Sequence, residues 1–143
     1  MTYEGLKARI KKHEGFLDKV YLDSLNKRTI GYGHLLTEDD DFVDDVIYDK
    51  AILEELFNKD FNVAVQGAEE LLTNYDIKPL AKEVIIEMVF QLGKSGVSKF
   101  KKMFEALKEY NYTIAAKEML NSIWYRQTPS RCEALSNIMR SCA

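Results

Sequence analysis

The chain has 143 residues, 46% of them apolar, which is enough for one domain or two small lobes with a real hydrophobic core. With 20 Lys and Arg against 23 Asp and Glu, its formal net charge of −3 argues against a nucleic-acid partner, and no nucleic-acid-binding motif is present. The opening residues, Met1 to Lys12, are charged throughout and lack an apolar core, so no secretory signal is expected. The most apolar stretch, Val84 to Leu92, is too short for membrane insertion.

Charge is spread unevenly. Residues 1–37 carry seven Lys/Arg against four Asp/Glu, residues 38–93 four against fifteen, and residues 94–143 nine against four. The cationic ends would favour an anionic polymer locally, while long-range steering should be weak.

Two prolines, seven glycines and apolar spacings of three and four predict a mostly helical α+β protein. Residues 3–14 read as a helix with Leu6 and Ile10 on one face and Gly15 as its left-handed stop. The β-prone runs Phe16-Leu17, Lys19-Val20-Tyr21 and Thr29-Ile30-Gly31-Tyr32, separated by Asp, Ser and Asn turns, predict a small antiparallel sheet. Glu38 to Asp45 holds six acids in eight positions, without the alternating ligands, central Gly and closing Glu of a calcium loop. A solvated loop is expected there, not a metal site.

Residues 49–66 predict one long helix of about 27 Å, with Leu53, Phe57, Phe61 and Ala64 on one face. Helices alone follow, over 68–74, 79–92, 97–109, 112–121 and 129–140, with Pro79 and Pro129 in first turns. Cys132 and Cys142 on one helix would stand about 15 Å apart, beyond disulfide reach, so free thiols are expected. The alternative is a clip formed where the chain bends after Arg140. No His/Cys cluster has zinc spacing.

Chemistry concentrates near the start. Glu14, Asp23 and Thr29 put two carboxylates and a hydroxyl within sixteen residues, the groups that glycosidic hydrolysis needs. Glu14 ends a helix, where the negative end of the dipole disfavours its ionised form and suits a general acid. Asp23 with Thr29 would hold and activate water. Their plain readings are a turn-forming Asp before Ser24 and an ordinary strand Thr.

The wording around these residues is more specific. Glu14-Gly15, Tyr21-x-Asp23 and Thr29-Ile30-Gly31-x-Gly33-His34-Leu35-Leu36 resemble the phage-type lysozymes of glycoside hydrolase family 24, the T-even enzymes above all. The resemblance continues at Leu56–Asp60, Met88–Gly93 and Trp124–Arg131, and so covers residues 10 to 140 in the family's order. It implies a lysozyme-like two-lobed fold across a single domain, 1–143. The N-terminal lobe, about 12–60, would hold the sheet. The 49–66 helix would connect it to a helical C-terminal lobe, 67–143, on which helix 3–14 packs.

The resemblance further implies a muramidase that cuts the β-1,4 bond between N-acetylmuramic acid and N-acetylglucosamine in peptidoglycan. Inversion at the anomeric carbon, no cofactor and a monomeric state are expected. Glu14 would be the acid, with Asp23 and Thr29 positioning the water. Arg131 would reach across the cleft to Glu14 as a positioning partner. His34 would pair with Asp60 structurally, and Gly33 would let the backbone approach a sugar. Leu35, Phe90 and Gln91 would line the cleft, although Phe90 reads equally well as core.

The resemblance thins after Leu36, where this chain is shorter and acidic. Met103 and Glu118 stand where the T-even enzymes have a substrate-contacting Ser and Asn, so neither joins the candidate site. Such an enzyme would be made in the host cytoplasm and reach the periplasmic wall on release. The rival is a non-catalytic or virion-associated module that holds peptidoglycan without cutting it. The intact trio argues against it.

Overall fold

In the computed structural model, which describes residues 3–143, the chain begins with α1 (Glu4–Glu14) and three strands, β1 (Leu17–Leu22), β2 (Arg28–Gly31) and β3 (His34–Leu35). Then come α2 (Lys50–Leu71), α3 (Pro79–Ser98), α4 (Lys101–Lys108), α5 (Tyr112–Leu120), α6 (Ile123–Gln127) and α7 (Pro129–Ser141). The protein is mostly helical with one small antiparallel sheet and long helices, as its composition predicts. Two compact units divide it, Met1–Val63 and Ala64–Ala143, and the division falls inside α2.

In the first unit α1 buries Leu6 and Ile10, one turn apart, and ends at Gly15, whose φ of 74° and N–H bond to the Lys11 carbonyl stop the helix. The first half of α2 presents Leu53, Phe57 and Phe61 at intervals of four, all within 2% of full burial. Each such side chain contributes about 1.5–3 kcal/mol of transfer free energy. α1 lies along that row: the Tyr3 ring meets Phe61 at 5.9 Å and the Lys11 ammonium sits 4.9 Å from the Phe57 ring centre.

The sheet has the order β1-β2-β3. Tyr21 pairs with Thr29, Leu22 with Arg28, Thr29 with Leu35 and Ile30 with His34, and the β1 register shifts between Leu17 and Tyr21. Gly31 and Gly33 take φ of 66° and 77° through the β2–β3 turn, which is open to glycine at little cost.

The acidic segment is a loop, as expected, but it is anchored. Asp44 accepts two bonds from the Arg28 guanidinium, at 2.8 and 3.2 Å. The Tyr48 hydroxyl accepts from the Val43 amide, and the Tyr48 amide donates to the Asp18 carbonyl. Asp40 is held by His34 and Thr37. Charge density alone reads such a stretch as solvated. The bonds that tie it down reach across as many as 30 residues, as from Tyr48 to Asp18, beyond the reach of local pattern.

Separate helices over 49–66 and 68–74 are corrected to the single α2, which continues through Gly67 in its second-unit part. A Cβ there would stand 3.1 Å from Val89 Cγ1 and 3.4 Å from Lys94 Cβ, so this glycine makes room for α3 instead of ending a helix. α3 extends past residue 92 to Ser98, but its helical dihedrals break at Gly93, with φ 79° and ψ 157°. Pro79 and Pro129 open α3 and α7 as predicted. α6, five residues capped by the Ser122 hydroxyl, has no counterpart among the predicted helices because one turn is too short to show a period.

α5 packs between α4 and α7, with Ala115, Ala116 and Met119 fully buried. Ser136 on α7 donates to the Ala116 carbonyl at 2.9 Å, and Cys132 Sγ contacts the Met119 carbonyl at 3.3 Å. Both cysteines are free and buried, and burial pushes the Cys132 thiol up to about 12. Among the described residues no helix is long and apolar enough to cross a membrane, and no His/Cys/Asp/Glu group is arranged to hold a metal.

Candidate active site

The first unit holds seven of the ten candidate residues. Glu14 is the last residue of α1, and its carboxylate lies directly over the Cα of Gly33, in the space a side chain there would fill. The glycine is thus required twice, for its φ of 77° and for this contact. The sugar-facing role inferred from the motif is joined by a local one: Gly33 makes room for the acid.

Asp23 caps the β1–β2 hairpin. Its Oδ1 accepts from the amides of Leu25, at 2.8 Å, and Lys27, at 2.9 Å, while its own amide donates to the Lys27 carbonyl. Asn26 supplies the left-handed residue of the turn, with φ 61°. The plain reading of Asp23 as a turn-former is correct, and it leaves Oδ2 outside the turn's hydrogen bonds. Thr29, 2% exposed, donates its hydroxyl proton to the Lys27 carbonyl at 2.9 Å. Its oxygen therefore faces other groups as an acceptor.

Tyr21 links these residues, and sequence reasoning passed over it. It is half-buried opposite Thr29. Burial raises its phenol above the usual 10, and the charges of Glu14 and then Asp23 raise it further. Both carboxylates therefore act on one hydroxyl. The Tyr-x-Asp spacing was the available signal, since alternate strand residues share a face.

Leu35 extends the same cross-strand row and is 46% exposed. His34 bonds Asp60 through Nδ1 at 2.7 Å, as the resemblance implied, and Asp40 through Nε2 at 3.0 Å, which the sequence did not suggest. The Asp60 hydrogen bond raises the His34 pKa against the lowering effect of burial, and Asp40 adds to the rise. For Asp40, burial acts upward, but the Thr37 amide, His34 and the Thr37 hydroxyl together hold the carboxyl below its usual range.

Phe90, Gln91 and Arg131 belong to the second unit. Gln91 is fixed at both ends of its amide: Trp124 Nε1 donates to Oε1 at 2.9 Å, and Nε2 donates to the Thr128 hydroxyl at 3.0 Å. Trp124, buried in α6, orients this amide. Phe90 is half-buried, between its core and cleft readings. Arg131 is nearly buried, and its Nε donates at 3.0 Å to Glu87, which is fully buried in the middle of α3. A carboxylate inside an apolar helix run was the sequence's signal for such a partner.

A model of the phage lysozyme family matches residues 11–140. Two proteins of Dictyostelium discoideum, "Probable T4-type lysozyme 2" and "Probable T4-type lysozyme 1", are 33% and 31% identical to the chain; each match covers 96% of it and 94% of the relative. The "Pre-baseplate central spike protein Gp5" of Enterobacteria phage T4 is 27% identical over 91% of the chain and 26% of its own length. With nearly its whole length matched, this chain belongs to the phage lysozyme family.

Proposed function

We propose that the chain cuts the β-1,4 bond between N-acetylmuramic acid and N-acetylglucosamine in peptidoglycan, with Glu14 as general acid and Asp23 with Thr29 holding the attacking water. Lysozyme activity in general follows from the family. The assignment of roles draws on one observation: Thr29 pairs across the ladder with Tyr21, two residues before Asp23, and its hydroxyl oxygen is left to accept. Glu14 protonates the leaving oxygen as the C–O bond breaks. Water adds to the anomeric carbon from the opposite face and passes a proton to Asp23. A water-mediated displacement of this kind inverts the anomeric centre.

The test is new reducing ends released from purified peptidoglycan glycan, with the first-formed anomer read by NMR. An α product supports inversion, and a β product overturns the water mechanism. Glu14→Gln keeps shape but removes the transferable proton, and should lower kcat by about 10²–10⁴-fold with Tm unchanged. Substantial activity in the folded variant would remove Glu14 from the acid role. We further infer that the enzyme is released from a host cytoplasm onto the wall. The match to a phage spike protein favours a second setting, a virion-associated one, for the same chemistry.

A further inference from the structure

Tyr21 and Thr29 face each other across the β1–β2 ladder, where side chains share a face with Cβ atoms about 4.5–5.5 Å apart. Asp23 follows Tyr21 by two residues and stands just past the end of that strand, where the turn begins. The hydroxyl of Tyr21 makes no hydrogen bond among the described residues, although the side chain is half-buried. It is an uncommitted donor on the strand face it shares with Thr29, whose oxygen can only accept. The Thr29 proton is committed to the Lys27 carbonyl, and an ionised Asp23 has no proton to give.

This arrangement has a consequence for water. A water molecule that donates one proton to Asp23 and the other to Thr29 is tied along a single line and can swing about it. A third contact, made to one of its lone pairs, removes that freedom and leaves the remaining lone pair with one direction. We propose that Tyr21 is a further catalytic residue of the hydrolysis, its phenol donating a hydrogen bond to the attacking water that Asp23 and Thr29 hold. The proposal rests on the water mechanism stated above.

In the step itself, the remaining lone pair of the water forms the new bond to the anomeric carbon. The old C–O bond breaks with its electron pair going to the leaving oxygen, which takes the Glu14 proton. The water loses one proton to Asp23. Tyr21 keeps its own throughout, and a phenol raised above its usual range remains a neutral donor over the whole neutral region. The gain is orientational, since loss of alignment at a reacting atom slows the step without weakening ground-state binding.

The experiment compares wild type with Tyr21→Phe, which deletes one oxygen from a half-buried ring, on soluble peptidoglycan glycan fragments. It measures kcat, KM and Tm. The expected result is a kcat lower by about tenfold or more, a KM within about twofold, and an unchanged Tm. A kcat within twofold of wild type overturns the role. So does a higher KM at unchanged kcat, which would make Tyr21 a glycan contact, and so does a kcat loss that only follows a loss of Tm. A wild-type protein that releases no reducing ends would sink the hydrolase reading itself, and this role with it. An active wild type with an equally active Tyr21→Phe would sink this role alone.

Discussion

The Glu14 carboxylate occupies the space above the Gly33 Cα, so a helix end and a strand turn meet at a point where neither can gain an atom. Gly33→Ala would place a methyl group within the carboxylate and strain a φ of 77°. The backbone term alone is about 1–2 kcal/mol. We expect a lower Tm together with a loss of kcat of at least about tenfold, because on the proposed mechanism a displaced Glu14 no longer aims at the leaving oxygen. Parallel assays of melting and glycan cleavage check this, and unchanged cleavage would show that Glu14 tolerates the shift.

His34 between Asp60 and Asp40 gives the first unit a stability optimum in mildly acidic solution. The folded pKa of His34 is raised, so its contribution is complete below about 6.5 and fades as pH climbs through the raised value. The folded pKa of Asp40 is lowered, so its contribution is complete above about 3.9 and fades as pH falls through the lowered value. Melting temperatures across pH should show both flanks. Asp40→Asn should flatten the acid flank and weaken the alkaline one, and an unchanged profile would count against the pairing.

The acidic loop separates into residues that hold it and residues that only charge it. Asp39→Asn with Asp41→Asn removes two exposed charges while sparing Asp40 and Asp44. Surface charges act over about 10 Å at 0.1 M salt. The double variant should associate faster with anionic wall at low salt and match wild type at high salt, with Tm unchanged. Association kinetics at two ionic strengths decide it.

Glu87 is buried beside Arg131, and removal of one member of such a pair costs about 3–5 kcal/mol. Glu87→Ala should therefore melt far earlier than wild type. Replacing both residues with apolar ones, Glu87→Met with Arg131→Leu, should recover much of that loss. Denaturant unfolding of the two variants measures the difference.

The helices and their apolar faces were legible because each repeats over several turns. Leu53, Phe57 and Phe61 identify the buried face of α2 before any coordinate is known. The Gly67 region was misread because a glycine that ends a helix and one that admits a neighbour look alike in one dimension. The family resemblance carried the catalytic candidates and, apart from them, the structural His34–Asp60 pair. The sequence hints that Glu87 needs a partner but names neither Arg131 for it nor His34 for Asp40, because such partners are chosen by folding and leave no periodic trace. Tyr21 stands inside a legible motif, but its meaning lies in the β1–β2 register, which one dimension does not display.

Asp23 spends one oxygen on its own hairpin. Two amides grip Oδ1, so the carboxyl takes its orientation when the turn closes, long before a glycan arrives. Fixing a side chain at the moment of binding costs about 0.5–1.5 kcal/mol, and here that ordering falls on folding. The same division governs how the residue can be probed. Asn at position 23 can still accept the two amides while losing the negative charge, whereas Ala releases the hairpin as well. The hairpin acts as a built-in jig: the five-residue turn from Asp23 to Lys27 sets the aim of the Asp23 carboxylate as part of its own closure.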